Sequence, residues 1–142
     1  MSRVDFYVLP DDSRRSLQHF ACRLAEKACL QGQKILIQTQ SADESRALDD
    51  LLWTMQDNNF IPHSIFDVAS NDDQAVIINH NNEPIENIQL LINLSSQAIQ
   101  HSCEHIAEVL NQQADCKQTG REHYKTYRDS GFELHHHKIE AL

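Results

Sequence analysis

Lys117, Arg121, Tyr124, Lys125 and Arg128 recur at spacings of three and four along one short stretch. On an α-helix, at about 100° per residue, such spacing gathers them on one face about a hundred degrees wide. Like charges four residues apart repel by a few tenths of a kcal/mol, so helix stability alone does not call for this alignment. Two readings follow. One is a solvated helix face. The other is a receptor for an anionic ligand, with guanidinium groups taking carboxylates in paired hydrogen bonds. The Tyr gives such a receptor an apolar part. An Asp-rich peptide ending in an apolar residue suits it, and so does single-stranded nucleic acid.

Two other groups of residues have types that could act chemically. Trp53 stands about 140° from Leu48 on a helical projection and so points away from the apolar stripe of its own helix. With Phe60 it forms either an aromatic patch for a protein partner or a pair covered by a neighbouring loop. Histidine is frequent, and His135, His136 and His137 are consecutive; on an extended chain His135 and His137 share a side. A metal-dependent hydrolase using His63 and this tail is the enzymatic alternative. The H-E-x-x-H and G-x-S-x-G patterns are absent, and sequence places no nucleophile beside His63.

The elements that must position these residues alternate between strand and helix. Val4–Leu9 reads as a buried strand. Ser13 caps a helix with apolar residues at Leu17, Phe20, Ala21, Leu24, Ala25 and Ala28, and Gly32 stops it. Lys34–Thr39 is a second strand, and Ser41 with Glu44 has capping-box spacing ahead of a helix carrying Leu48, Leu51, Leu52 and Met55. Ala75–Ile78 and Ile88–Leu94 are strands; Glu104–Leu110 fits a short helix and a strand equally. A helix runs from about Gln112 to Ser130 and ends at Gly131. Within it Cys116, Gly120, His123 and Tyr127 share the side expected to pack on the sheet. The pattern predicts one α/β domain over residues 1–134, a mostly parallel sheet flanked by helices in three Rossmann-like layers. Residues 135–142 are left as a mobile His-rich tail.

Composition narrows the functions open to such a domain. The chain has 142 residues and a net charge of −9. Its three glycines, Gly32, Gly120 and Gly131, are too far apart for either common phosphate-binding loop, and no cofactor is implied. The charge is uneven: the 70 residues from Ala47 to Cys116 hold 11 Asp or Glu and no Lys or Arg. An acidic molecule is not expected to grip DNA directly, because phosphate affinity comes mainly from Lys and Arg. Cys22, Cys29, Cys103 and Cys116 lack C-x-x-C spacing and read as small, largely buried side chains. With no signal-peptide pattern and no apolar run of spanning length, a cytoplasmic protein without membrane contact is expected.

Several stretches resemble the chi-subunit family of bacterial DNA polymerase III. They are Phe6-Tyr-Val-Leu9, Gly32 to Ile37, Leu48-Asp-Asp-Leu-Leu-Trp53, Phe60-Ile-Pro-His63 and Gly120-Arg-Glu-His-Tyr-Lys-Thr-Tyr-Arg-Asp-Ser-Gly-Phe132. The Leu-Trp…Phe-x-Pro-His pair and the Arg-x-x-Tyr-Lys-x-Tyr-Arg stretch are the most specific. Residues 67–86 and those after Leu134 match no family pattern. The resemblance implies a non-enzymatic adaptor of the clamp-loader assembly with a Rossmann-like fold and no nucleotide site. It implies that Lys117, Arg121, Tyr124, Lys125 and Leu110 bind the acidic, Phe-terminated tail of single-stranded DNA-binding protein, and Arg128 joins them as a residue of the same helix face. It places Trp53 and Phe60 at the surface for the psi subunit or a helicase. It also makes Glu104–Leu110 a strand, and puts His123 where a basic residue is usual, so that charge on that turn depends on pH.

Overall fold

A computed structural model of the chain describes residues 2–54, 63–65, 75–81, 87–98 and 104–140, with the backbone alone at 63–65. The elements run β1 (Arg3–Val8), α1 (Arg14–Leu30), β2 (Ile35–Gln38), α2 (Ala42–Thr54), β3 (His63–Ile65), β4 (Val76–Asn79), β5 (Leu90–Asn93), β6 (His105–Leu110), α3 (Ala114–Asp129) and β7 (Glu133–Lys138). The strands form one sheet in the order β3-β4-β2-β5-β6-β1-β7. Every pairing is parallel. The ambiguous Glu104–Leu110 stretch is a strand at His105–Leu110, as the resemblance implied.

Parallel neighbours require crossovers, and the helices supply them by covering both faces. Leu17, Ala21 and Ala25 of α1 and Leu48 and Leu52 of α2 pack with Ile35, Ile37, Ile78, Ile92 and Val109 on one face. Tyr124 and Tyr127 of α3 pack with Val4, Phe6, Leu36, Leu91 and Ile106 on the other. Ile35, Leu36 and Ile37 thus alternate between two cores, which is why β2 is apolar at successive positions rather than every second one.

The helix starts match their sequence signals. Ser13 Oγ accepts from the Ser16 N–H at 3.3 Å, and Ser41 Oγ accepts from the Glu44 N–H at 3.2 Å. Glu44 does more than cap. Its carboxylate takes two hydrogen bonds from the Arg14 guanidinium, at 2.6 and 2.7 Å, so the first turn of α2 is clamped to the first residue of α1. Both Arg14 and the cap therefore sit at the carboxyl end of the sheet. At the far end of α3, Gly131 adopts φ +86° and lets the Phe132 N–H return to the Tyr127 carbonyl.

The chain after Leu134 departs from the sequence reading, which ended the domain at residue 134 and left the rest as a mobile tail. His135, His136 and His137 lie inside β7, paired in register with Asp5, Phe6 and Tyr7 of β1. Alternation splits the three rings. His137 Nε2 meets Asp5 Oδ1 at 2.8 Å on the α1 side, and its ring stacks on Tyr7. His136 stacks on Phe6 on the α3 side. A run of histidines has modest strand propensity, so the pairing draws on partners in β1 that periodicity cannot reveal.

Asp5 is the anchor of this edge. Only 1% exposed, it is bonded by Arg3, His105 and His137. Burial pushes its pKa up, but those three donors outweigh burial and hold it well below the usual carboxylate range. Substituting His137→Ala should lower the unfolding free energy by about 1–2 kcal/mol. That is less than a fully buried hydrogen bond to a charge is worth, because the ring is part-exposed. Urea denaturation measures it, and an unchanged midpoint would mean that backbone pairing alone holds β7.

Candidate functional site

The site begins with how α3 is seated. Glu108, in the middle of β6, is 1% exposed and faces α3. Its carboxylate receives Tyr127 O–H at 2.6 Å and Asn93 Nδ2 at 2.7 Å on one oxygen, and faces His123 Nδ1 at 2.9 Å with the other. His123 and Tyr127 are four residues apart, one helical turn, so a single acid grips two successive turns of α3. The predicted inner face of Gly120, His123 and Tyr127 is buried as expected.

Gly120 lets the helix close on β6. A Cβ there would lie 2.5 Å from Leu110 Cδ1, so an alanine would displace the Leu110 side chain. A mid-helix glycine is itself unfavourable by about 1 kcal/mol relative to alanine, and the close approach offsets that cost.

With the inner face fixed, the adjoining flank of α3 meets β1, β6 and β7 along a shallow groove of about 360 Å³. Val8, Leu110, Gly120, Tyr124 and His136 give it an apolar lining, and Lys117, Arg121 and Asn111 give it a polar one. Lys117 and Arg121 are exposed while Tyr124 is half-buried. Tyr124 is oriented by two rings, Phe6 at 5.7 Å and His136 at 5.2 Å between centroids. The groove can accept an extended, anionic chain with one apolar group: cations on the helix side meet carboxylates, and the floor takes an apolar side chain.

Four of the residues singled out in the sequence come together here: Leu110, Lys117, Arg121 and Tyr124. Lys125 and Arg128 do not line the groove. Both are exposed further along α3, and Arg128 lies 3.4 Å from Asp129. Val8, Asn111 and His136 are additions. The alternation that sets His135 and His137 on one side also sets His136 on the other, a signal the tail assignment left unused.

Trp53, near the end of α2, is 54% exposed, and Leu30 at the end of α1 is 62% exposed. Phe60 lies outside the described residues, as does the side chain of His63. The hydrolase alternative gains no support: His135 and His137 face Glu133 and Asp5, and among the described residues no three His, Cys, Asp or Glu are placed to hold a metal ion.

A second cavity of about 220 Å³ lies at the carboxyl ends of β5 and β6, where open parallel sheets commonly bind ligands. Of its three charged residues, Arg14 and Glu108 are already engaged, by Glu44 and by the α3 seat, and the third, Asp115, is an exposed acid that would repel an anion. The groove beside α3 is the better candidate.

Fold and site together define a Rossmann-like α/β domain with a basic, aromatic-lined groove on one flank. Residues 1–135 match the family model described as DNA polymerase III chi subunit, HolC. The chain belongs to the chi-subunit family of DNA polymerase III, the replicative assembly. It is 34% identical to the DNA polymerase III subunit chi of Pseudomonas aeruginosa, over 100% of both chains. With the Haemophilus influenzae subunit chi it shares 28% identity over 92% of this chain and 93% of that one. With the Escherichia coli subunit the identity is 23%, over 94% and 96%. Among solved structures, T4 UvsW superposes with a TM-score of 0.65 at 10% identity, over 96% of this chain and 41% of that one. The C-terminal domain of the DEAD-box protein Dbp5 superposes at 0.63 and 12% identity, over 99% and 92%. These likenesses concern the fold alone.

Two outcomes are expected from the α3 seat. Gly120→Ala should turn the half-buried Leu110 side chain aside at a cost that the better helix propensity, about 1 kcal/mol, largely offsets, so chemical denaturation should show a net change below about 1 kcal/mol. The second concerns pH. Burial works against a charged His123, but the Glu108 hydrogen bond and charge, with the Ser96 carbonyl 3.0 Å from Nε2, together raise its pKa above the ordinary 6.5. A raised pKa means that this contribution is complete below about pH 6.5 and is lost as pH climbs through the folded value. The unfolding midpoint should therefore fall between pH 6.5 and the folded value, and His123→Gln should flatten that slope.

Proposed function

We propose that this chi-family chain is a non-catalytic adaptor, working in the cytoplasm, that joins single-stranded DNA-binding protein to the polymerase III clamp-loader assembly. The groove takes the acidic, Phe-terminated tail of that protein. Lys117 and Arg121 pair with its carboxylates, and Lys125 and Arg128 extend the positive face for residues further up the tail. The apolar floor of Leu110 and Tyr124 receives the terminal ring. Trp53, exposed at the end of α2, and Phe60 serve the psi subunit or a helicase.

One observation carries this reading. In a chain of net charge −9, Lys117 and Arg121 flank an apolar groove of about 360 Å³. A long polyanion such as DNA would meet the acidic remainder of the surface, whereas a short acidic peptide meets only the groove.

Titration with a labelled Asp-rich, Phe-terminated peptide tests it. Arg121→Ala should weaken binding by about 10- to 100-fold, the value of a hydrogen bond to a charged group. Raising the salt should weaken wild-type binding only in part, since the ring contact is not screened. Equal affinity for wild type and Arg121→Ala would overturn the assignment.

A further inference from the structure

We infer that His136 is a further ligand-contacting residue of the groove, giving an N–H from the edge strand to a carboxylate of the bound acidic segment. The inference rests on the peptide-binding reading above and extends it from α3 to a second element.

The imidazole is held in place before any ligand arrives. His136 pairs with Phe6 across the parallel ladder, and the two rings stack with centroids 5.2 Å apart and planes 15° from parallel. Phe6 is 1% exposed, so the stack has a buried base, and Tyr124 closes on the other side at 5.2 Å with a 37° tilt. Position and plane are thereby set by two aromatic neighbours rather than by hydrogen bonds.

The polar edge of the ring is left over. His105, His123 and His137 each direct a ring nitrogen at a carboxylate. Among the described residues neither nitrogen of His136 has a hydrogen-bond partner, although the ring lines the same groove as Lys117 and Arg121. The charged groups on that side are Lys117 and Arg121 from α3, Lys138 two residues along β7, and Glu108 beneath. Glu108 is already taken by Asn93, His123 and Tyr127. A neutral or charged imidazole has an N–H to give, and no carboxylate of the described groove is free to take it. An incoming carboxylate fits that position, with cations behind it.

The test compares wild type, His136→Phe, His136→Gln and Arg121→Ala with the same labelled Asp-rich, Phe-terminated peptide. Phe keeps a ring on Phe6 and removes the donor; Gln restores an N–H without the ring. His136→Phe should bind about tenfold more weakly and His136→Gln should recover most of that loss, with thermal midpoints confirming that both fold. Wild-type affinity in His136→Phe, or no recovery in His136→Gln, overturns the role of His136. If Arg121→Ala still weakens binding in that case, the peptide-binding reading survives and only this inference falls. Wild-type affinity in both His136→Phe and Arg121→Ala removes the two together.

Discussion

A carboxylate placed in the middle of a covered parallel sheet must be met by donors or it would not stay there. Glu108 is that carboxylate, and what meets it determines the rest of this flank. Asn93 reaches it from the neighbouring strand, while His123 and Tyr127 reach it from two turns of α3. A helix packed by apolar contacts alone has some freedom to roll about its axis. One pinned by two polar side chains to a single acid has little. The roll that puts His123 and Tyr127 on Glu108 turns Lys117, Arg121 and Tyr124 toward the groove. A buried ionic contact of this kind adds little net stability over an apolar substitute, so its value here lies in orientation.

A second buried acid does the complementary job on the opposite face. Asp5 draws His137 inward and holds β7 against β1, and the strand alternation then delivers His136 to the α3 side. The groove therefore has two walls fixed by two separate carboxylates, one through a helix and one through an edge strand. That arrangement also explains how an acidic chain presents a cationic site. Asp5 and Glu108, the acids beneath the groove, are buried and compensated, while Lys117 and Arg121 remain in solvent.

Much of the fold was legible because its signals are local. Ser13 and Ser41 cap, Gly32 and Gly131 stop, and the three-and-four spacing of Leu17, Ala21 and Leu24 marks α1 without tertiary information. The cationic stripe on α3 was equally visible, since one helix carries it. What escaped was non-local. Nothing in the run His135–His137 announces a strand; its partners are Asp5, Phe6 and Tyr7 at the other end of the chain. Val8 and Asn111 joined the groove for the same reason, being strand-end residues brought to it by sheet order. Lys125 and Arg128 illustrate the converse. Helical projection groups them with Arg121, but it carries no information about where the facing wall ends.

The carboxyl edge of the sheet completes the argument about where ligand chemistry can reside. In open parallel sheets the crevice beyond the strand ends is the usual binding place, served by helix N-termini. Here Arg14 fills that position with the Glu44 carboxylate and the Leu94 carbonyl, and Asn111 closes on the Gln113 N–H and the Ser13 carbonyl. The Arg14 and Asn111 side chains are thus bonded to the protein's own groups, and Asp115, exposed in the first turn of α3, sets a negative charge where a phosphate would have to sit. The solved structures that superpose on this chain share its layers, yet an identical layer order leaves the choice of site open. With Arg14 engaged and Asp115 opposing an anion there, the flank between α3 and β7 is where the described residues offer cationic side chains beside an apolar floor. Contact with a partner's acidic segment is the chemistry such a flank can support.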